Sequence, residues 1–300
     1  MESAISAYEH LLPPTYKDDV RQWLRDDCPS TDIGGFVVGE KVETAHLLCK
    51  GSCVLAGVPF AQAVFELCEL EAEWLTNEGA LVDIEGVAGG KVLVAKVTGK
   101  CRNILLAERT ALNILSRASG VATISRTAKG IADSHGWQGS VAGTRKTTPG
   151  FRHVEKYALL VGGVATHRLD LSQMVMLKDN HIWSCGSITA AVKKAKSVAG
   201  FSMKVEVECQ NLAEAVEAAE AGADIVMLDN QSPERLKEDA ARLKQRFPSV
   251  LIEASGGILE ESMHLYMSEH VDVISRGTLT QGYPCIDFSL KVQKQLVNRL

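Results

Sequence analysis

The 300-residue sequence predicts an α/β protein in two parts, a smaller α+β region followed by a parallel-sheet region that closes or nearly closes into a barrel. Two observations carry the second part. Short apolar runs start near residues 204, 224, 250 and 271, at the spacing of βαβ units, and helical segments lie between them. Each run also ends on a polar residue that a strand covered on both faces does not favour. The first part is predicted by a different texture, in which strands with glycine-rich turns precede one long amphipathic helix.

Along the chain, MESAISAYEHLLPP lacks a basic start and a long apolar run, so it reads as the first helix and not as a targeting peptide. KDDVRQWLRDDC reads as a helix. HLLCK, the segment around Val54 and KVLVAKVTG read as strands. Ile104 to Gly120 is an amphipathic helix with Leu105, Leu112 and Leu115 on its buried stripe and Arg109 on another face. The first domain is assigned to 1–119 and the barrel to 120–287. A last helix, 288–300, is expected to pack back on the chain.

In the second part SVAGT, the stretch ending at Thr166–Arg168, and MVMLK supply three strands, followed by KVEVE, DIVMLD, VLIEAS and VDVIS. Between them, NLAEAVEAAEAGA has apolar residues at helical spacing with Gly222 at its end. SPERLKEDAARLKQRFP opens on the cap Ser232 with Pro233 at the first helical position and stops at Pro248. A helical segment is expected between VLIEAS and VDVIS. Seven strands with right-handed crossovers suggest a barrel. Periodicity leaves an open doubly wound sheet as the alternative.

Composition bounds the function. With 46% hydrophobic and 23% charged residues the chain reads as an ordinary globular protein, and a formal net charge of −5 gives no footprint for nucleic acid or an anionic membrane. No run approaches the ~20 apolar residues of a membrane span. Eight scattered cysteines without a CxxC pair read as thiols in a reducing, cytoplasmic compartment, and their spacing does not support a zinc site.

The polar strand endings are Arg145 and Lys146, His167 and Arg168, Lys178, Glu208, Asp229, Ser255 and Gly277. The C-terminal strand ends form the active face of parallel α/β folds. Four cations there, against two acids in a chain that is acidic overall, imply a strongly anionic ligand. Arginine suits bidentate carboxylate or phosphate contact, and lysine serves as a point charge. ASGGI and SRGT, glycine-rich turns followed by expected helix starts, offer backbone N–H groups to a phosphate. Glu208 and Asp229 can accept from sugar hydroxyls or bind Mg2+. The competing readings are an ion pair of Glu208 with Lys204 and a helix cap for Asp229. His167 is read as either a satisfied barrel histidine or a ligand contact, and His181 as a turn cap. Arg109, beside Glu108, reads by pattern as a surface ion pair.

AGTRKTTPGFR, EKYALLVGG, HR, MLKDNH, VEVE, MLDN, EASGGI and DVIS occur in the order and spacing of quinolinate phosphoribosyltransferases. AERTALNILSRASG and VLAGVPF match the region before the barrel. The chain resembles this family over nearly its whole length, its eukaryotic branch most, and the first fifty residues match only loosely. The resemblance implies an open α/β sandwich followed by an incomplete barrel of fewer than eight strands. It implies quinolinate and phosphoribosyl pyrophosphate as substrates, Mg2+ as cofactor, and nicotinate mononucleotide, pyrophosphate and CO2 as products. Lys146, Lys178, Glu208 and Asp229 would carry the chemistry. Arg145, Lys146, His167, Arg168 and Lys178 would hold the dicarboxylate and part of the phosphate charge, and Thr147 would also contact substrate. Ser255, Gly256, Gly257 and Gly277 would hold the ribose phosphate. Glu208 and Asp229 would face ribose and metal, directly or through water or pyrophosphate. Arg109 would act in trans within a homo-oligomer, a dimer or a hexamer of dimers. Arg276 departs from the uncharged residue expected there and would add a cation near the phosphate loop. The alternatives are a phosphoribosyltransferase that takes a monocarboxylate without decarboxylation, and a non-catalytic barrel that binds anionic nucleotides.

Overall fold

A computed structural model describes residues 8–293. Its strands are, in chain order, β1 (Val42–Cys49), β2 (Cys53–Val54), β3 (Glu71–Trp74), β4 (Leu81–Val82), β5 (Val92–Lys100), β6 (Ser140–Ala142), β7 (Val175–Leu177), β8 (Val205–Cys209), β9 (Ile225–Asp229), β10 (Leu251–Ser255), β11 (Val273–Ser275) and β12 (Phe288–Val292). The chain forms two compact units. Among the described residues one comprises 8–126, Thr148–Gly163 and 282–293, and the other Thr127–Thr147 and Val164–Gln281.

The first unit is built on an antiparallel sheet in the order β12-β1-β5-β3, with β2 and β4 paired separately. In β1 the residues Ala45, Leu47 and Cys49 are buried and those between them are not, the alternation of a sheet with one face on a core. That core includes Leu55, Phe60, Phe65, Ile104, Ile114 and Leu115. Burying a leucine or phenylalanine of this kind contributes about 1.5–3 kcal/mol.

Three sequence expectations fail in this unit. Residues 288–292 are a strand pairing β1 and not a helix, and residues 294–300 of the expected last helix lie outside the described residues. The first described residues, Tyr8–Leu11, form a 3-10 turn, and residues 1–7 of the expected first helix lie outside the description. The amphipathic helix runs from Cys101 to Ser134, straight through Gly120. A Cβ on Gly120 would stand 2.1 Å from the Pro284 carbonyl oxygen, so this glycine admits a neighbouring backbone and does not end the helix. Leu105 is 37% exposed, while Leu112 and Leu115 are buried as expected, together with Ile104, Ala107, Ala111, Ile114 and Ala118.

The second unit carries a six-stranded parallel sheet in the order β6-β11-β10-β9-β8-β7. The stretch ending at Thr166–Arg168 contributes one bridge, Ala165 on Ala142, in place of a strand. Among the described residues the ladder runs from that bridge to β7, the incomplete barrel of fewer than eight strands that the sequence resemblance implies. Helices Ile188–Ala199, Leu212–Glu220 and Pro233–Arg246 alternate with the central strands, and the side chains of Ser187, Asn211 and Ser232 cap them by accepting from Ala190, Glu214 and Arg235 N–H. The helix expected between β10 and β11 is only a 3-10 turn, Met263–Tyr266.

Candidate active site

The C-terminal ends of the parallel strands surround a cavity of about 550 Å3. Arg145, Lys146, His167, Arg168, Lys178, Glu208, Asp229, Ser255, Gly256 and Gly257 all line it. Of the other residues singled out in this region, Thr147 turns its hydroxyl back to the Arg145 carbonyl, 3.4 Å away, and Gly277 lies under Lys146. A Cβ on Gly277 would stand 3.0 Å from Lys146 Cδ, so the bare glycine lets the lysine stem cross it. Arg109 is exposed on the first unit, in a groove with Leu112, Ser116 and Asp287.

The rim is held in place residue by residue. Lys178 ends β7 and its ammonium pairs with Glu208 at the end of β8. Glu208 therefore pairs across strands, and not with Lys204. His181 Nδ1 accepts the Lys178 N–H at 3.1 Å and so caps the turn that presents Lys178. Asp229 caps no helix, because Ser232 does that. Its carboxylate accepts from Asn230 Nδ2 at 2.6 Å. Asn230 and Gly256 are both left-handed, with φ of 53° and 90°. A Cβ on Gly256 would meet Asn230 Oδ1 at 2.3 Å, so only glycine fits where the β9 and β10 loops meet.

The cations lie where anions must compensate them. Arg145 Nε is buried without a hydrogen-bond partner among the described residues. Burial, and then the charge of Arg145, act against the guanidinium charge of Arg168 and lower its pKa. The buried Glu206 and Glu253 carboxyl groups act the other way, and an entering anion would add to them. The glycine turn after Ser255 leads into no α-helix, and only the four-residue Thr278–Gln281 follows Gly277. Loop N–H groups, and not a helix dipole, are what these turns offer a phosphate. Arg276 adds no cation to the cavity. It is buried, its Nε donates to the Ile258 carbonyl at 3.2 Å, and burial lowers its pKa.

Below the rim lies a layer that the sequence reading missed. Side chains two residues apart share a strand face. Counting back two from Lys178, Glu208, Asp229, Ser255 and Gly277 gives Met176, Glu206, Met227, Glu253 and Ser275, and four of these five line the cavity floor. Glu206 is fully buried. Burial, then the facing Glu253 carboxylate, raise its pKa well above the usual carboxylate range. His167 Nε2 is 3.2 Å from Glu253 and 3.8 Å from Glu206.

These three side chains have the spacing of metal ligands. The hydrogen bonds argue for protons instead. His167 Nδ1 accepts the Arg168 N–H at 2.8 Å, so the neutral ring carries its hydrogen on Nε2, toward Glu253. A metal on Nε2 would leave a proton on Nδ1 facing another donor.

Two family models match the chain, the quinolinate phosphoribosyl transferase N-terminal domain over residues 32–119 and its C-terminal domain over residues 121–291. The chain is 50% identical to the nicotinate-nucleotide pyrophosphorylase [carboxylating] of Dictyostelium discoideum over 95% of its own length and 98% of that protein. It is also 50% identical to the Homo sapiens protein of the same name, over 94% and 93% of the two chains. Among solved structures, the nicotinate-nucleotide pyrophosphorylase from Francisella tularensis superposes with a TM-score of 0.83 at 34% identity, covering 94% of this chain and 98% of that one. A cation-rimmed cavity at the end of an incomplete barrel, matched across both domains and at half-identity over almost the full length, makes this chain a member of the quinolinate phosphoribosyl transferase family.

Proposed function

We propose that the chain transfers the phosphoribosyl group of phosphoribosyl pyrophosphate to quinolinate with loss of CO2, giving nicotinate mononucleotide and pyrophosphate in NAD biosynthesis. The observation that carries this reading is the gathering of Arg145, Lys146, Arg168 and Lys178 around one cavity that also holds Glu208, Asp229 and the glycine turn of β10. Four fixed cations suit a dicarboxylate beside a phosphorylated sugar, and more of them are present than a single carboxylate needs. The relatives' printed names, nicotinate-nucleotide pyrophosphorylase [carboxylating], agree with it.

In this reaction the pyridine nitrogen forms a bond to C1 of the ribose as the bond from C1 to the pyrophosphate oxygen breaks. The bond from ring C2 to its carboxylate then breaks, CO2 leaves, and the electron pair stays on C2 until a proton ends it. The adjacent ring nitrogen, now positive, stabilises that pair, so no further electron sink is needed. Arg145, Arg168 and Lys178 hold the two carboxylates, and His167 holds the Arg168 backbone beside them. Lys146 and Lys178 oppose the charge that builds on pyrophosphate. Fixed charges placed before reaction are the main catalytic resource for such a step. Ser255, Gly256, Gly257 and Gly277 receive the ribose phosphate.

Glu208 and Asp229 end adjacent strands and face the same cavity, an all-oxygen donor set of the kind Mg2+ takes together with substrate phosphates. When bound there, directly or through water, Mg2+ supplies neutralisation of pyrophosphate charge. The two carboxylates also orient the ribose hydroxyls. We place the enzyme in the cytoplasm as a homo-oligomer, a dimer or a hexamer built of dimers, in which Arg109 serves the partner's cavity. No described helix is long and apolar enough to cross a membrane.

The direct test is incubation with quinolinate, phosphoribosyl pyrophosphate and magnesium, following CO2 and nicotinate mononucleotide. Equal release of both supports the reading. Turnover of nicotinate without CO2 would assign a monocarboxylate transferase, and binding without turnover a nucleotide-binding barrel.

A further inference from the structure

We propose that Glu253 is a positioning residue that fixes the cationic rim of the cavity against its phosphate loop. This rests on the reading of the cavity given above.

Glu253 sits on β10, in the middle of the sheet, and is 2% exposed. Its two oxygens face in different directions along the floor. Oε2 accepts from His167 Nε2 at 3.2 Å, and Oε1 accepts from Ser275 Oγ at 2.6 Å. Each partner leads to a different half of the cavity. On one side His167 Nδ1 accepts the Arg168 N–H at 2.8 Å, so the ring fixes the backbone from which Arg168 projects. His167 itself has φ of 56°, in the left-handed region that histidine visits more readily than most side chains with a Cβ. On the other side Ser275 Oγ lies 3.0 Å from Ser255 Oγ, at the mouth of the Gly256–Gly257 turn.

One carboxylate therefore ties Arg168, on the loop after the Ala165 bridge, to Ser255 at the end of β10. Both ring nitrogens of His167 are engaged in this chain, so His167 acts on a ligand through Arg168 and not as a cation of its own. The transfer joins an atom of the dicarboxylate to an atom of the sugar phosphate. A displacement of about 1 Å between the two halves can cost a hundredfold in rate while each half still binds its own ligand.

The experiment compares Glu253→Met, Glu253→Gln and Ser275→Ala with the wild type. Methionine keeps the volume and removes both acceptors. Glutamine keeps an oxygen for His167 Nε2–H and offers an N–H to Ser275 Oγ, so both ties survive without the charge. We expect Glu253→Met to lose at least thirtyfold in kcat per folded site with KM for each substrate within threefold. Ser275→Ala should lose about tenfold by the same pattern. Glu253→Gln should stay within threefold of wild type. A merely structural role would lower the folded fraction and leave kcat per folded site alone. The inference is overturned if Glu253→Met keeps its kcat, if Glu253→Gln is as slow as Glu253→Met, or if the losses fall on KM for one substrate. Should Glu253→Met not fold, Ser275→Ala decides by the same criterion.

A second readout does not depend on turnover. With 15N-labelled histidine, and His167→Gln to assign the signal, wild-type His167 should show a protonated Nε2 and an unprotonated Nδ1. Glu253→Met should lose that single-tautomer signature and Glu253→Gln should keep it. A protonated Nδ1 in the wild type would overturn the inference whatever the enzyme turns over. An inactive wild type showing the expected tautomer would overturn the functional reading alone.

Discussion

Glu78 in the antiparallel unit and Arg145 in the parallel unit are both ionisable side chains taken partly out of water, and their surroundings differ. The Glu78 carboxylate accepts from Gly57 N–H at 2.9 Å and Val58 N–H at 3.0 Å, at the start of helix Val58–Leu67. Its partners belong to its own unit, as an isolated acid at a helix start requires. Arg145 Nε has no partner among the described residues, and Arg168 beside it is pushed down in pKa by burial and by Arg145. Glu78 finds its hydrogen bonds inside its own unit, whereas Arg145 keeps a buried donor nitrogen without a partner among the described residues, at the wall of the cavity.

The largest effect that would break this contrast lies on the rim. Arg168→Ala and Lys178→Ala should fold normally and lose about thirtyfold to several-thousandfold in kcat/KM, since removing one partner of a charged contact to a bound anion costs ~2–5 kcal/mol. Thermal melts alongside initial rates check this. Near wild-type turnover in both variants would remove the rim as an anion site.

Glu78 should do the opposite, affecting stability and leaving turnover alone. Burial raises its pKa to about 7, more than its two N–H partners and the Tyr157 hydroxyl lower it. An acid whose folded pKa is raised binds its proton more tightly when folded. Its contribution is fully present below the unfolded value near 4.5 and is lost as pH rises from there through about 7. The loss is at most about 3 kcal/mol, reduced by the water that still reaches this part-buried side chain. Denaturant titrations at intervals between pH 4.5 and 8 should show Glu78→Gln with a flatter stability profile than wild type. Parallel profiles would mean that Glu78 does not titrate in this window.

The contrast was legible in the sequence on one side more than the other. The rim could be read because each polar residue closes an apolar run, a local pattern. The floor was harder. KVEVE reads as alternating charge and valine, yet Glu206 is fully buried, because a barrel strand has an interior in place of a wet face. The signal was present: the same period of two that sets Glu208 and Ser255 on the rim sets Glu206 and Glu253 one layer below. β12 was illegible for another reason. FSLKVQKQLVNRL spaces its apolar residues well enough for a helix, and what makes Phe288–Val292 a strand is β1, some 240 residues earlier in the chain. Long-range pairing overrides local pattern there.

Asp229→Asn tests a subtler part of the cavity, because it keeps shape and removes only charge. We expect turnover to fall by about tenfold, one 1.4 kcal/mol step, with the magnesium concentration for half-maximal rate moving upward. An unchanged magnesium titration would leave Asp229 as the partner of Asn230 Nδ2 and nothing more.

The smallest effect is a partial recovery of activity, and it asks whether the antiparallel unit lends a charge to a partner's cavity. Arg109 is exposed on the helix whose buried stripe is Ile104, Ala107, Ala111, Ile114, Leu115 and Ala118, so packing leaves its guanidinium available. In a two-fold dimer each subunit gives what it receives. Arg109→Ala and Lys178→Ala should each be nearly inactive alone. Refolded together, a mixed dimer would hold one site carrying both lesions and one site carrying neither. With random assortment half the dimers are mixed and each has one intact site, so about a quarter of wild-type activity should return. Mixed dimers can be counted by tagging one parent and purifying through the tag. If they form and no activity returns, Arg109 works within its own subunit or not at all.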